Sequence, residues 1–116
     1  MAMRSAAIWS AAPINRFQIE QFARFLDRLT AHAEAEGDLL RQSLVMFGSG
    51  LGDGDRHNHD DLPVLLAGEG GGAAAGLGHV KLGRETPLAN LYLAMLRAMG
   101  GSMDRFADSN GALPIR

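Results

Sequence analysis

The chain of 116 residues is long enough for one small domain and too short for a second complete one. Hydrophobic residues make up 47% and charged residues 21%, with a formal net charge of -2. This composition is globular and lacks the basic excess that binding to nucleic-acid phosphates requires. The chain has no cysteine, so a metal site would use nitrogen and oxygen ligands. No segment has the apolar length of a transmembrane helix or a signal sequence.

The first predicted element is a helix over residues 13–36. Its apolar residues recur at three- and four-residue steps, which is typical of an amphipathic helix: Ile14, Phe17, Phe22, Phe25, Leu26, Leu29 and Ala33. Asn15 is the predicted N-cap, and Gly37 is predicted to end the helix in a left-handed conformation. Residues 1–12 are predicted to be poorly ordered.

Two continuous apolar segments, residues 43–47 and 62–67, predict strands that are buried on both faces. In a half-buried strand, apolar and polar residues would alternate. The glycine tract at 68–78 is too rich in glycine to hold regular structure without help. It lacks the lysine and hydroxyl ending of a P-loop, so it predicts a connection rather than a nucleotide site. A short third strand at 79–82 is left open.

The last predicted helix begins with Thr86 as N-cap and Pro87 at its first position, and it ends at residues 100–101, two glycines. Its predicted apolar face consists of Leu88, Leu91, Tyr92, Met95, Leu96 and Met99. The tail is predicted to dock through Phe106. This order of elements predicts an α/β fold. Two or three strands that are buried on both faces need further strands beside them and helices that cover both faces of the sheet. We therefore expect the last segment of a larger α/β domain, or a chain that self-associates.

The loop between the two predicted strands concentrates polar side chains. Its sequence, GLGDGDRHNHDDLP, covers residues 50–63 and holds four aspartates and two histidines. His57 and His59 are two residues apart, so in an extended segment both rings point the same way. Together with carboxylates they form a ligand set suited to Zn²⁺, Mn²⁺, Fe²⁺ or Mg²⁺. The predicted metal ligands are His57, His59, Asp53, Asp55 and Asp60.

The same loop has a second interpretation. Aspartate and asparagine form side-chain hydrogen bonds in turns, and glycine supplies positive φ angles. A solvated connection between two strands therefore has a similar composition without any ligand role, and both interpretations stay open from the residues alone.

Several blocks of the chain together resemble the C-terminal part of the uncharacterised bacterial HXXSHH-motif proteins. The resemblance covers nearly all of residues 13–116 and rests on these blocks: Ile14-Asn15-Arg16-Phe17, Gly37-Asp38-Leu39-Leu40, Gly48-Ser49-Gly50, His57-Asn58-His59, Leu62-Pro63-Val64-Leu65-Leu66-Ala67, Thr86-Pro87-Leu88-Ala89-Asn90-Leu91 and Phe106-Ala107-Asp108-Ser109. Those proteins look like remote relatives of the alkaline phosphatase and sulfatase superfamily. The resemblance implies that residues 1–116 are a single partial domain, the C-terminal segment of an alkaline-phosphatase-like three-layer α/β sandwich.

The resemblance also implies a function. In that superfamily a divalent metal serves the hydrolysis of phosphate or sulfate esters, and a metal-ligand histidine precedes a late buried strand. His57 best matches that histidine, and His59 is the close alternative. The chain departs from the pattern, because Gly48, Ser49 and Gly50 stand where an Asp-His metal pair is expected.

The HXXSHH motif is also absent, since residues 5–12 contain no histidine. We therefore expect a C-terminal fragment of an exported or periplasmic parent, inactive alone, whose partner is the missing N-terminal portion or a second copy. The alternative is a non-catalytic exported protein that retains the fold for a binding or structural role.

Overall fold

A computed structural model describes the backbone of residues 2–50, 57 and 59–116, and the side chains of those residues from 13 onwards. The elements in chain order are α1 (Ala2–Ala31), β1 (Ala33–Glu34), β2 (Gly37–Asp38), β3 (Val45–Gly48), β4 (Val64–Ala67) and α2 (Ala89–Ala98), with a 3-10 turn at Gly70–Gly72. β1 pairs with β2 and β3 with β4, both antiparallel. The described chain therefore mixes helices with small antiparallel sheets, in agreement with the broad α/β class.

Helix α1 begins earlier than predicted. It begins at Ala2, and both Pro13 and the predicted N-cap Asn15 lie inside it. Proline removes one backbone hydrogen bond from a helix interior, but the residues before it are rich in alanine, which has the highest helix propensity. The predicted start at residue 13 is therefore wrong, and the backbone of residues 2–12 is helical.

Helix α1 also ends earlier than predicted, at Ala31 instead of residue 36. The chain then turns back through the β1–β2 hairpin, where the N–H of Leu39 donates to the carbonyl of His32 at 2.9 Å. The hairpin thus gives hydrogen-bond partners to backbone N–H and carbonyl groups that a longer helix would have paired within itself. Gly37, with a φ of 128°, belongs to this hairpin and does not cap the helix as predicted.

Strands β3 and β4 lie within the two predicted strand segments. Their register pairs Val45 with Ala67, Met46 with Leu66, Phe47 with Leu65 and Gly48 with Val64. No residue of either strand is fully buried, and Leu65 is 47% exposed. The predicted burial on both faces is therefore wrong, because two short strands with no further strand beside them in the described chain cannot cover both faces.

Residues 79–82, left open as a third strand, form no strand. Val80 is 57% exposed and Leu82 is 45% exposed, so this segment runs over the surface. A strand needs an edge to pair with, and Gly78, with a φ of 70°, bends the chain just before it. The described structure thus has two of the predicted strands and adds the unpredicted β1–β2 hairpin.

The glycine tract is held against the turn that precedes β3. The N–H of Gly70 donates to the carbonyl of Ser43 at 3.0 Å, and that of Gly71 donates to the carbonyl of Arg41 at 2.9 Å. Gly68 has a φ of 94°, and a Cβ there would lie 2.0 Å from the carbonyl oxygen of Ser43. Only glycine fits this contact. The tract is therefore an anchored segment, held by backbone hydrogen bonds to the turn before β3.

The buried core lies around α2 and the C-terminal tail. Its buried apolar residues are Ala74, Ala89, Leu91, Leu93 and Ala94. Leu93 is the most buried of these, at 0% exposure, although it is outside the predicted apolar face, whereas Met99 from that face is 63% exposed. The tail contacts α2 at Asn90 and Tyr92, which flank Leu91 and precede Leu93 in the helix.

The start of α2 differs from the predicted cap. The hydroxyl of Thr86 donates to the carbonyl of Arg84 at 3.0 Å instead of capping the helix. The helix begins at Ala89, and the N–H of Asn90 donates to the carbonyl of Pro87 at 3.0 Å. The predicted N-cap is therefore wrong, since the first turn is closed by backbone carbonyls.

The end of α2 confirms the predicted stop at two glycines. The N–H of Gly100 donates to the carbonyl of Arg97 at 3.1 Å, and that of Gly101 donates to the carbonyl of Leu96 at 2.8 Å. Gly100 has a φ of 95°. This is the Schellman arrangement, in which a left-handed glycine lets two free carbonyls of the last turn find donors.

The tail is fastened to α2 by the amide side chain of Asn90, which bonds to both the side chain and the backbone of Asn110. Asn90, only 5% exposed, donates from Nδ2 to Oδ1 of Asn110 at 2.8 Å, and its Oδ1 accepts from the N–H of Asn110 at 2.9 Å. The carbonyl of Asn90 also accepts from the N–H of Leu113 at 3.1 Å. Phe106 meets Tyr92 edge to face, with centroids 6.2 Å apart, which confirms the predicted docking of the tail.

The molecule is extended for its length. Its radius of gyration is 16.5 Å and its extents are 53 × 36 × 20 Å, whereas a compact domain of this size has a radius of gyration of about 13 Å. It exposes 8820 Å² of surface, whereas about 6,100 Å² is expected for a compact monomer of this size. Among its described helices, none combines the length and apolar character needed to cross a bilayer.

Replacement of Gly68 by alanine tests the anchored glycine tract. The Cβ would collide with the carbonyl of Ser43 in a positive-φ conformation, so we expect the free energy of unfolding to fall by about 2 kcal/mol or more. Urea unfolding followed by circular dichroism measures this. Gly76→Ala is the matched control, because nothing lies within 4 Å of its added Cβ. Equal stability of the two variants would contradict the contact.

Replacement of Asn90 by alanine tests the amide pair. The change leaves both groups of Asn110 without their partners, and we expect a loss of about 2 kcal/mol in the free energy of unfolding. The control is Asn15→Ala, at an exposed position within α1 where alanine favours the helix. If Asn90→Ala unfolds at the same urea concentration as Asn15→Ala, the pair contributes no stability.

Candidate functional site

The polar loop joins the end of β3 to the start of β4. Because the two strands are antiparallel, the loop closes one end of the hairpin, and the N–H of Ser49 donates to the carbonyl of Pro63 at 3.3 Å across its base. This backbone bond brings the two ends of the loop together. Asp53 and Asp55 lie outside the residues that the structure describes, so their ligand roles stay predictions.

His59 is the most oriented of the predicted ligands that the structure describes. Its Nδ1 lies 2.6 Å from the carbonyl oxygen of Gly50. A carbonyl oxygen only accepts, so Nδ1 carries the hydrogen and donates it. In the neutral ring Nε2 then keeps its lone pair, and the hydrogen bond holds the ring against rotation. This is how proteins prepare a histidine for a metal, with one nitrogen on a backbone carbonyl and the other free to coordinate.

His57 and Asp60 are exposed and less constrained. His57 has a φ of 52° and Asp61 one of 50°, so the segment turns at both residues. The extended conformation on which we based parallel rings for the two histidines is therefore absent at His57. Left-handed φ angles are tolerated by Asp and His more readily than by most residues, which explains the composition of the turn.

The described residues do not form a complete metal site. Across residues 2–50, 57 and 59–116, no three His, Asp or Glu side chains lie together so that they could hold one ion. His57, His59 and Asp60 thus lie in one turn without converging as a set of three. The described part of the loop offers one oriented nitrogen, at His59, with exposed carboxylates beside it.

A groove lies at the same end of β3 as the loop, between α1 and the strand. It is lined by Phe17, Gln18, Gln21, Phe22, Phe47 and Gly48. The stacking of Phe22 on Phe47, with centroids 5.0 Å apart, forms its floor. This α1–β3 groove was not predicted from the sequence, although Gln18 and Gln21 interrupt the apolar positions of the helix there.

The backbone N–H groups of residues 70–74 in the glycine tract donate to backbone carbonyls of the chain. The N–H groups of Gly70 and Gly71 donate to carbonyls of the preceding turn, and those of Gly72, Ala73 and Ala74 donate within the tract itself. A phosphate loop needs such groups to point at a ligand. These five backbone donors are therefore directed at the chain itself.

The tautomer of His59 is a direct test of the site geometry. At alkaline pH, long-range ¹H–¹⁵N spectra are expected to show His59 with its hydrogen on Nδ1, because only that tautomer donates to Gly50. His79, which is exposed on the surface segment, is the internal reference. A hydrogen on Nε2 of His59 would show that the bond to Gly50 is not formed.

Comparison with protein-family models, curated proteins and solved structures finds no match to this chain. The resemblance to HXXSHH-motif proteins is therefore neither confirmed nor contradicted, and it stays a prediction that rests on the sequence blocks quoted above.

Proposed function

We propose that this chain forms the C-terminal part of an alkaline-phosphatase-like protein that hydrolyses phosphate or sulfate esters with a divalent metal. The observation that supports the proposal is the hydrogen bond between Nδ1 of His59 and the carbonyl of Gly50. It prepares Nε2 as a ligand without any help from another side chain.

The neighbouring residues fit a hard divalent cation. The loop adds Asp60 to His59, and Asp53 and Asp55 in the sequence bring two further carboxylates close along the chain. Imidazole nitrogen with carboxylate oxygen suits Zn²⁺, Mn²⁺, Fe²⁺ or Mg²⁺. When bound, such an ion polarises an ester oxygen and lowers the pKa of an attacking group.

Within that chemistry the residues of this chain have limited roles. His59 would hold the ion through Nε2, while Gly50 keeps the ring oriented. Asp60 and the other loop carboxylates would accept hydrogen bonds from bound water or add oxygen ligands. The loop is exposed at His57, His59 and Asp60, so substrate and water reach it freely.

The proposed sandwich fold requires more strands than the described chain contains. β3 and β4 pair only with each other, so each leaves one edge without a strand among the described residues. Open edges of this kind are usually paired or covered. A missing N-terminal portion of the parent, exported or periplasmic as the resemblance implies, would supply the covering strands together with the remaining ligands.

A second candidate function is a non-catalytic binding or structural role. The absence of three converging ligand side chains among the described residues favours it. It predicts the same fold with no hydrolytic activity, whatever metal is added.

Metal binding separates the two candidates. The longer parent that contains this chain is expected to bind Zn²⁺ or Mn²⁺ in isothermal titration, and His59→Ala is expected to weaken binding at least about tenfold, because the oriented nitrogen is lost. His79→Ala is the matched control, an exposed histidine outside the loop. His57→Ala tests the position favoured by the resemblance, and the geometry predicts a smaller effect there. Absence of binding, or unchanged binding by His59→Ala, would contradict the proposal.

The reaction class needs its own assay. Chromogenic phosphate and sulfate esters would be tested with the chain and its longer parent, with and without Zn²⁺, Mn²⁺, Fe²⁺ and Mg²⁺. Hydrolysis by the parent that is lost with His59→Ala supports the hydrolase. Metal binding without any hydrolysis would instead support the non-catalytic candidate.

A further inference from the structure

Helix α1 carries an apolar stripe that the described chain leaves uncovered. Ile14, Phe17, Gln21 and Phe25 follow one another at steps of three and four residues, so they share one side of the helix. Ile14 is 61% exposed, Phe17 is 60% exposed and Phe25 is 48% exposed. Phe22 lies on the adjacent side and packs on Phe47, so the stripe lies beside the hairpin contact, with Phe17 and Gln21 at the edge of the α1–β3 groove.

We propose that the α1 stripe is the interface of a homodimer, in which α1 packs antiparallel against α1 of a second copy about a two-fold axis at Gln21. This inference is independent of the proposed metal site. It rests on the self-complementary order of the side chains in the stripe, on their charges and on the surface available.

The central part of the stripe, from Phe17 to Phe25, is symmetric about Gln21, whereas Ile14 meets Arg28 of the second copy. Phe17 and Phe25 lie four residues before and four residues after Gln21. In an antiparallel pair each Phe17 therefore meets Phe25 of the second copy, and the two Gln21 amides meet at the axis. An isologous contact requires this kind of self-complementarity. A polar residue at one central position also fixes the register of paired helices.

The charges on one flank of the stripe are complementary in the same arrangement. Arg24 of one copy lies within about one helical turn of Glu20 of the other, and the two-fold axis repeats the pair. Within the described residues Glu20 pairs with Arg16 at 2.9 Å, whereas Arg24 has no ion-pair partner. A second copy would provide one.

The surface area of the chain is sufficient for such an interface. The chain exposes 8820 Å², about 2,700 Å² more than a compact monomer of its length. A standard interface takes about 800 Å² from each partner. The α1–β3 groove, which Phe17 and Gln21 line, adds a recess beside the stripe where Phe25 of the second copy would pack.

Sedimentation velocity over a range of concentrations tests the dimer. The chain is expected to sediment as a dimer that dissociates on dilution, and Phe17→Glu is expected to raise its dissociation constant at least about tenfold. The matched control is Ile19→Glu, which is similarly exposed at 45% but points about 200° away from Phe17 on the helix. A monomer at every concentration would overturn the proposal and show that something else covers the stripe. Equal effects of the two variants would also overturn it.

Disulfide trapping tests the two-fold axis. Because the chain has no cysteine, a single introduced thiol reports only on its own position. Gln21→Cys is expected to form a homodimeric disulfide, and Phe17→Cys mixed with Phe25→Cys is expected to form a heterodimeric one. Ile19→Cys should form neither. Cross-linking of Phe17→Cys with itself, without the mixed product, would mean parallel helices and would overturn the antiparallel arrangement.

Discussion

The stacking of Phe22 on Phe47 is the contact on which the placement of the other features depends. It joins α1 to the β3–β4 hairpin, with ring centroids 5.0 Å apart. Phe47 is followed by Gly48, the last residue of β3, so the same contact sets where the polar loop leaves the strand. On the helix it selects which side packs on the hairpin, and the neighbouring side, which carries Phe17 and Phe25, stays exposed. One aromatic pair thus positions both the loop and the α1 stripe.

The rest of the chain is organised by polar groups that are buried with their partners. Asn90 is nearly fully buried, yet both atoms of its amide are hydrogen-bonded to Asn110. The N–H of Ala75 donates to the carbonyl of Ile115 at 2.8 Å and ties the tail to the glycine tract. That tract is itself anchored beside β3, so the α2 core and the hairpin are connected through backbone hydrogen bonds. In a chain with few large buried side chains, satisfied polar groups specify the arrangement instead.

Sequence patterns predicted which helices and strands form more accurately than where each one begins and ends. Periodicity identified α1 and α2, continuous apolar segments identified β3 and β4, and the glycines at 100 and 101 predicted the end of α2. The start of α1 was missed because proline was treated as a boundary, whereas the alanine-rich residues before it favour helix. The buried face of α2 was predicted in part: Leu91 is buried as predicted, whereas Leu93 was not predicted and Met99 is exposed.

The candidate site was likewise predicted in its residue types but not in its geometry. Composition identified His57, His59 and the aspartates as a group, because residue types are visible in the sequence. Only the folded loop distinguishes the histidines, since the bond from His59 to Gly50 spans nine residues and depends on how the chain turns. Family resemblance favoured His57, whereas hydrogen-bond geometry favours His59.

The sequence by itself determined the class of structure, the elements and the set of chemically capable residues, because these follow from local propensity and residue type. Tertiary structure alone decided three things: which histidine is oriented, which side of α1 packs on the hairpin, and that Leu93 belongs to the α2 core. Each depends on packing or hydrogen bonds between distant segments, and no local pattern encodes such contacts.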